Sequence, residues 1–76
     1  MPKMAPVDYR RLIGIFKKEG FVFSRTKGDH SMFVKEGLVR PLVIPHYEAV
    51  PVFIIKNLLR TAGMSRERYF ELLDKS

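Results

Sequence analysis

Cysteine is absent from this 76-residue chain. That excludes a disulfide framework, a thiolate zinc site and a thiol nucleophile. Glutamine is also absent, and asparagine occurs once, at Asn57, a bias compatible with a thermophilic composition but without functional content. No long apolar run exists. The longest, Val50 to Ile55, falls far short of the roughly 20 residues needed to span a bilayer, and the first residues lack the apolar segment of a signal peptide. The expected location is therefore the cytoplasm. Length excludes a large two-lobed active site, because a chain this short buries only about 60% of its unfolded surface. One domain over residues 1–76 is expected, with an ordered core over about residues 6–73.

What is present suffices for a small core: 46% of residues are apolar and 12% aromatic, enough to offset the ordering entropy of a folded domain. Fourteen Lys and Arg against eight Asp and Glu give a formal charge of +6. The excess is concentrated in residues 1–27, where Lys3, Arg10, Arg11, Lys17, Lys18, Arg25 and Lys27 face only Asp8 and Glu19. A basic half in a small domain points to a polyanionic partner; the competing reading is a surface charge that only keeps the protein soluble.

Between Pro6 and Glu19, the apolar residues Tyr9, Leu12, Ile13 and Phe16 recur at i, i+3, i+4 and i+7, the stripe of an amphipathic helix. Pro6 suits its first turn and Gly20 the position just past its end. Arg10, Arg11, Lys17 and Lys18 cluster on the opposite side and form a basic outer face able to meet phosphate. Phe21 to Thr26 is rich in aromatic and β-branched residues and predicts a strand with Phe21, Phe23 and Arg25 on one side. Lys27-Gly28-Asp29 carries turn chemistry, and His30 to Lys35 predicts the second strand of a hairpin. Glu36-Gly37 predicts a further tight turn into a third strand, Leu38 to Ile44, with Leu38, Leu42 and Ile44 on one face. Pro41 lacks an amide donor, so that strand belongs at an edge or carries a bulge.

Pro45 ends the third strand, and Pro51 opens a second helix whose Ile55, Leu58, Leu59 and Ala62 share a face. Gly63 stops it. Ser65 then caps a short terminal helix that offers Tyr69, Leu72 and Leu73 to the core. The predicted fold is α+β, ordered α-β-β-β-α plus a short C-terminal helix, with helices covering one face of a three-stranded antiparallel sheet. This is the plan of double-stranded-RNA-binding domains.

Several segments together resemble a known family: Gly20-Phe21; Lys27-Gly28-Asp29-His30 with Phe33; Val43-Ile44-Pro45-His46; and Leu58-Leu59-Arg60-Thr61-Ala62-Gly63-Met64-Ser65. In order and spacing, from residue 7 to about 73, they are similar to the HicA-type toxins, small mRNA interferases. The resemblance implies a metal-independent endoribonuclease of a toxin–antitoxin pair, with His30 as catalytic residue, mRNA as substrate and a HicB-type antitoxin as partner.

The chemistry of the residues adds its own case. Imidazole titrates near working pH and can take the proton from a ribose 2′-hydroxyl or give one to the leaving 5′-oxygen. His30 follows a glycine turn beside basic residues, which presents its ring instead of burying it; the plain alternative is a surface histidine at a strand start. Arg25 and Lys27 are close enough in sequence to neutralise a phosphate whose charge grows in the transition state, and Gly28, Arg10 and Lys17 complete the candidate RNA-binding set. Asp29 either orients the His30 ring or fixes the turn. His46 is either a second proton-transfer group, a backbone contact or a loop histidine without a catalytic role. No third ligand accompanies the two histidines at metal-binding spacing, so no metal and no cofactor are expected.

One departure from the family pattern concerns the second helix, where Val50-Pro51-Val52 replaces a Gly-Thr pair suited to capping and phosphate contact. Tyr47 in the preceding loop either stacks on a base or packs as an ordinary half-buried tyrosine. Two rival functions remain: a non-catalytic RNA-binding module of the same fold, and a domain whose basic face binds an acidic protein.

Overall fold

In the computed structural model, which describes residues 3–75, the first helix begins at Asp8 and not at Pro6. The Asp8 carboxylate accepts the backbone N–H of Arg10 at 2.8 Å, which satisfies one of the orphan donors of the first turn. Helix α1 then runs Tyr9–Lys18. Its buried stripe is Leu12, Ile15 and Phe16, flanked by the partly buried Tyr9 and Ile13. All four residues of the expected stripe therefore face the core, and Ile15 widens it. Residues 1, 2 and 76 of the expected domain lie outside the described residues.

Strands β1 (Val22–Lys27), β2 (His30–Val34) and β3 (Leu42–Pro45) follow, then helices α2 (Val52–Ala62) and α3 (Arg66–Lys75). The strands form one antiparallel sheet in the order β1-β2-β3, the expected α+β plan with its appended helix. Both β1 and β3 are edge strands. The third strand is shorter than expected, since Leu38 to Pro41 lie outside it. A turn closed by the Leu38 N–H on the Lys35 carbonyl opens an irregular passage that lasts through Pro41. Proline at that point fixes φ and cannot donate, so pairing resumes only at Leu42.

The core lies between the sheet and the helices. Phe33, Leu42 and Ile44 from the sheet meet Leu12, Ile15 and Phe16 from α1, Ile55, Leu58 and Leu59 from α2, and Tyr69 and Leu72 from α3. Helix α2 starts after Pro51, whose carbonyl accepts from Ile54 and Ile55 at 3.1 Å each, and no side chain caps it. It stops at Gly63, which adopts φ 69°, ψ 28°, the left-handed conformation that glycine reaches without steric penalty. The hydroxyl of Ser65 accepts the Arg68 N–H at 3.0 Å and caps α3 as expected.

Helix α3 is tied to α1 by charge as well as by packing. Arg68 pairs with Glu19 at 2.7 Å and also with Glu71, two carboxylates that hold its guanidinium firmly protonated. Arg11 and Lys18 donate to the carbonyls of Leu73 and Lys75 at 3.0 and 3.3 Å, placing cations at the negative end of the α3 dipole.

Candidate active site

One inserted residue decides which side chains share the open face of the sheet. Val22 and Phe23 pair with Val34 and Phe33, but Arg25 pairs with Met32, Thr26 with Ser31 and Lys27 with His30. The register slips by one across Ser24, a β-bulge. Because side chains alternate faces with period two, a one-residue slip exchanges the faces of everything beyond it. Phe23 stays on the helix side, its ring edge-on to Phe33 at 5.7 Å. Arg25 and Lys27 are turned to the open side. This corrects the expectation that Phe21, Phe23 and Arg25 share one side, which assumed unbroken alternation.

The result is a cleft of about 450 Å³ lined by Arg25, Lys27, Gly28, His30, Met32 and Val43. Four of the candidate residues thus come together: Arg25, Lys27, Gly28 and His30. Met32 and Val43, which pair with each other across β2 and β3, supply an apolar floor that the sequence reading missed. Alternation from His30 points to Met32, whereas Val43 needs the strand register. The guanidinium of Arg25 rests against this floor, its Nε 3.5 Å from the Met32 sulfur.

The turn that presents His30 is a two-residue loop. Lys27 and His30 are paired, and Gly28 takes φ 60° while Asp29 does not adopt positive φ. Positive φ at the first central residue alone is the type II′ pattern, which matches the twist of the flanking strands. The His30 side chain is 42% exposed, so the ring is reachable from solvent. Its Nδ1 lies 2.9 Å from Asp29 Oδ1. A carboxylate there favours a proton on Nδ1, which leaves the lone pair on Nε2.

His46 occupies the other side of the sheet. Its Nε2 lies 2.6 Å from the hydroxyl of Ser31, a residue only 6% exposed that shares the covered face with Ile44, its partner in β3. The ring stacks on Tyr9 with centroids 4.6 Å apart, and the His46 N–H donates to the Asp29 carbonyl at 2.8 Å. Successive residues of β2 therefore serve opposite faces: His30 opens into the cleft and Ser31 binds His46 behind it.

Arg10 and Lys17 are not part of the cleft. They lie on α1, which packs against the covered face of the sheet. Arg10 pairs with Asp8 at 2.8 Å; the side-chain and backbone hydrogen bonds from Arg10 lower the Asp8 pKa to about 2, and the carboxylate raises that of Arg10. Tyr47 is half-exposed in the loop after β3. Among the described residues, no group of three or more His, Asp or Glu side chains is placed to hold a metal ion, and no helix is long and apolar enough to cross a membrane.

Comparison with protein families gives a match over residues 9–64 to the model described as HicA toxin of bacterial toxin-antitoxin. The matched span includes the whole sheet, the cleft and both histidines. Among curated proteins, none matches the chain.

Proposed function

From the premise that this chain belongs to the HicA toxin family of bacterial toxin–antitoxin systems, we propose that it is a metal-independent endoribonuclease, an mRNA interferase with His30 as its catalytic residue. The observation that carries this reading is the convergence of one exposed imidazole and two cations, Arg25 and Lys27, on a single open cleft. RNA carries both the nucleophile and the leaving group of its own cleavage, so the protein need only move protons and stabilise charge.

In this mechanism, Nε2 of His30 takes the proton of a 2′-hydroxyl while Asp29 holds the opposite edge of the ring. The 2′-oxygen bonds to the adjacent phosphorus, the bond from phosphorus to the 5′-oxygen breaks, and solvent protonates the departing oxygen. The products are a 2′,3′-cyclic phosphate and a 5′-hydroxyl. Arg25 and Lys27 neutralise the charge that grows on the phosphoryl oxygens, and Gly28 lets the backbone approach without a side chain in the way. Arg10 and Lys17, on the far side, contribute only long-range attraction for the polyanion. A HicB-type antitoxin restrains the enzyme by covering the cleft.

His30→Ala tests the proposal on single-stranded RNA. The expected outcome is loss of cleavage by about 100-fold or more with RNA affinity retained, together with relief of toxicity in growing cells. Wild-type protein that binds RNA but cleaves none between about pH 5 and 9, a range bracketing imidazole titration, would make the chain a binding module and overturn the enzymatic reading.

A further inference from the structure

We propose that His46 is a positioning residue for His30, acting through the two residues that flank it and not through proton transfer. The inference rests on the ribonuclease reading for its catalytic consequence and on geometry for everything else. His46 makes two contacts around the start of β2, one on each side of His30. Its backbone N–H donates to the Asp29 carbonyl at 2.8 Å, and that carbonyl belongs to the peptide entering His30. Its ring Nε2 meets the Ser31 hydroxyl at 2.6 Å, fixing the residue that leaves His30. The direction in which His30 projects is thereby held from before and after by one residue.

His46 is itself held. Its ring stacks on Tyr9, the Tyr9 N–H donates to the Tyr47 carbonyl at 3.0 Å, and Val50 donates to the Val7 carbonyl at 2.7 Å. These contacts bind residues 46–50 to the segment that enters α1. The chain after β3 is thus a strap connecting helix α1 to the turn beneath the catalytic ring. Pro45, opposite His30, has no N–H to give, so the next residue supplies the connection.

A proton-transfer role is disfavoured by the same geometry. The ring of His46 engages a buried hydroxyl on the covered face, while the cleft opens on the other. Catalytic groups must be held to a fraction of an ångström for full rate, and an error of about 1 Å costs on the order of 100-fold, so loss of the strap should reach the chemistry without touching substrate.

The test compares His46→Ala, His46→Gln and Ser31→Ala with the wild-type chain. Glutamine can place an amide near the position of Nε2 but cannot act as an acid or base near neutral pH. Two measurements are needed: kcat and KM for cleavage of a single-stranded oligoribonucleotide, and NMR relaxation of the His30 ring carbons in the free protein. The expected result is a kcat lowered about 10- to 100-fold in His46→Ala and Ser31→Ala, with KM within about twofold and a His30 ring that relaxes as a mobile group. His46→Gln should restore an ordered ring and most of kcat. A defect in His46→Gln as large as in His46→Ala overturns the proposal in favour of proton transfer. An unchanged His30 ring in all variants overturns it outright. If His46→Ala fails to fold, Ser31→Ala and His46→Gln carry the decision. If the wild-type chain cleaves no RNA, the ribonuclease reading falls, and the NMR measurement alone decides whether His46 orders His30.

Discussion

At the scale of single residues, the candidate site was partly legible in the sequence. His30, Lys27 and Gly28 are neighbours in the chain, and a two-residue turn between strands necessarily keeps them together. Gly28 carries the sharpest prediction here. An added Cβ would meet no atom within 4 Å, so Gly28→Ala is opposed only by the backbone at φ 60°. The expected cost is about 1–3 kcal/mol, measured by denaturant unfolding, without loss of the hairpin. The faces of Arg25 and Phe23 were not legible. No local signal at Ser24 reveals that two residues there oppose one, because the slip exists only relative to β2. Val43 was hidden for the same reason: its place in the cleft depends on pairing with Met32 across ten residues of intervening sequence.

At the scale of elements, helices were easier to read than strands. The stripes of α2 and α3 agree with the expected faces because 3.6-residue periodicity is a property of the element alone, whereas a strand takes its limits from its partners. Thus β3 begins at Leu42, after the irregular passage through Pro41, and not at Leu38. The bulge in β1 gives an element-scale prediction. Deleting Ser24 removes the extra residue, so Phe23 and Arg25 become consecutive opposite Phe33 and Met32, and Arg25 and Lys27 stay on the open face. Cleavage and the far-ultraviolet circular dichroism of the deletion protein should both stay close to those of the wild type. Loss of cleavage in a folded deletion protein would show that the cleft depends on the local bend of the bulge and not only on the faces it assigns.

The start of α1 gives a second prediction at this scale. The Asp8 carboxyl titrates at about 2 in the folded chain, below the value of about 3.9 for an unperturbed aspartate. A depressed folded pKa stabilises the fold above the unfolded value, and that contribution disappears as pH falls from about 4 toward 2. Asp8→Asn keeps a capping oxygen but removes the titration. Its melting temperature should therefore lie below that of the wild type at neutral pH and converge with it toward pH 2, with added salt shrinking the difference because the pair is exposed.

At the scale of the whole molecule, one core stabilises a small chain, and its members are not interchangeable with the residues of the cleft. Phe33 is buried between β1, β3 and the helices. Phe33→Ala should cost about 3–5 kcal/mol, a large part of the stability of a domain whose total is on the order of 5–15 kcal/mol. Calorimetry should show the transition lost or displaced by many degrees, with activity falling because folded protein is scarce.

The division of β2 between two faces predicts how the chain would escape selection. Growing cells that survive its expression should carry lesions whose effects alternate along this strand. Changes at 30 and 32 should leave abundant, protease-resistant protein that no longer kills; changes at 33, and bulky or charged replacements at 31, should remove the protein from the cell. A period of two in the abundance of survivors would be the imprint of the sheet itself, readable by sequencing and immunoblotting.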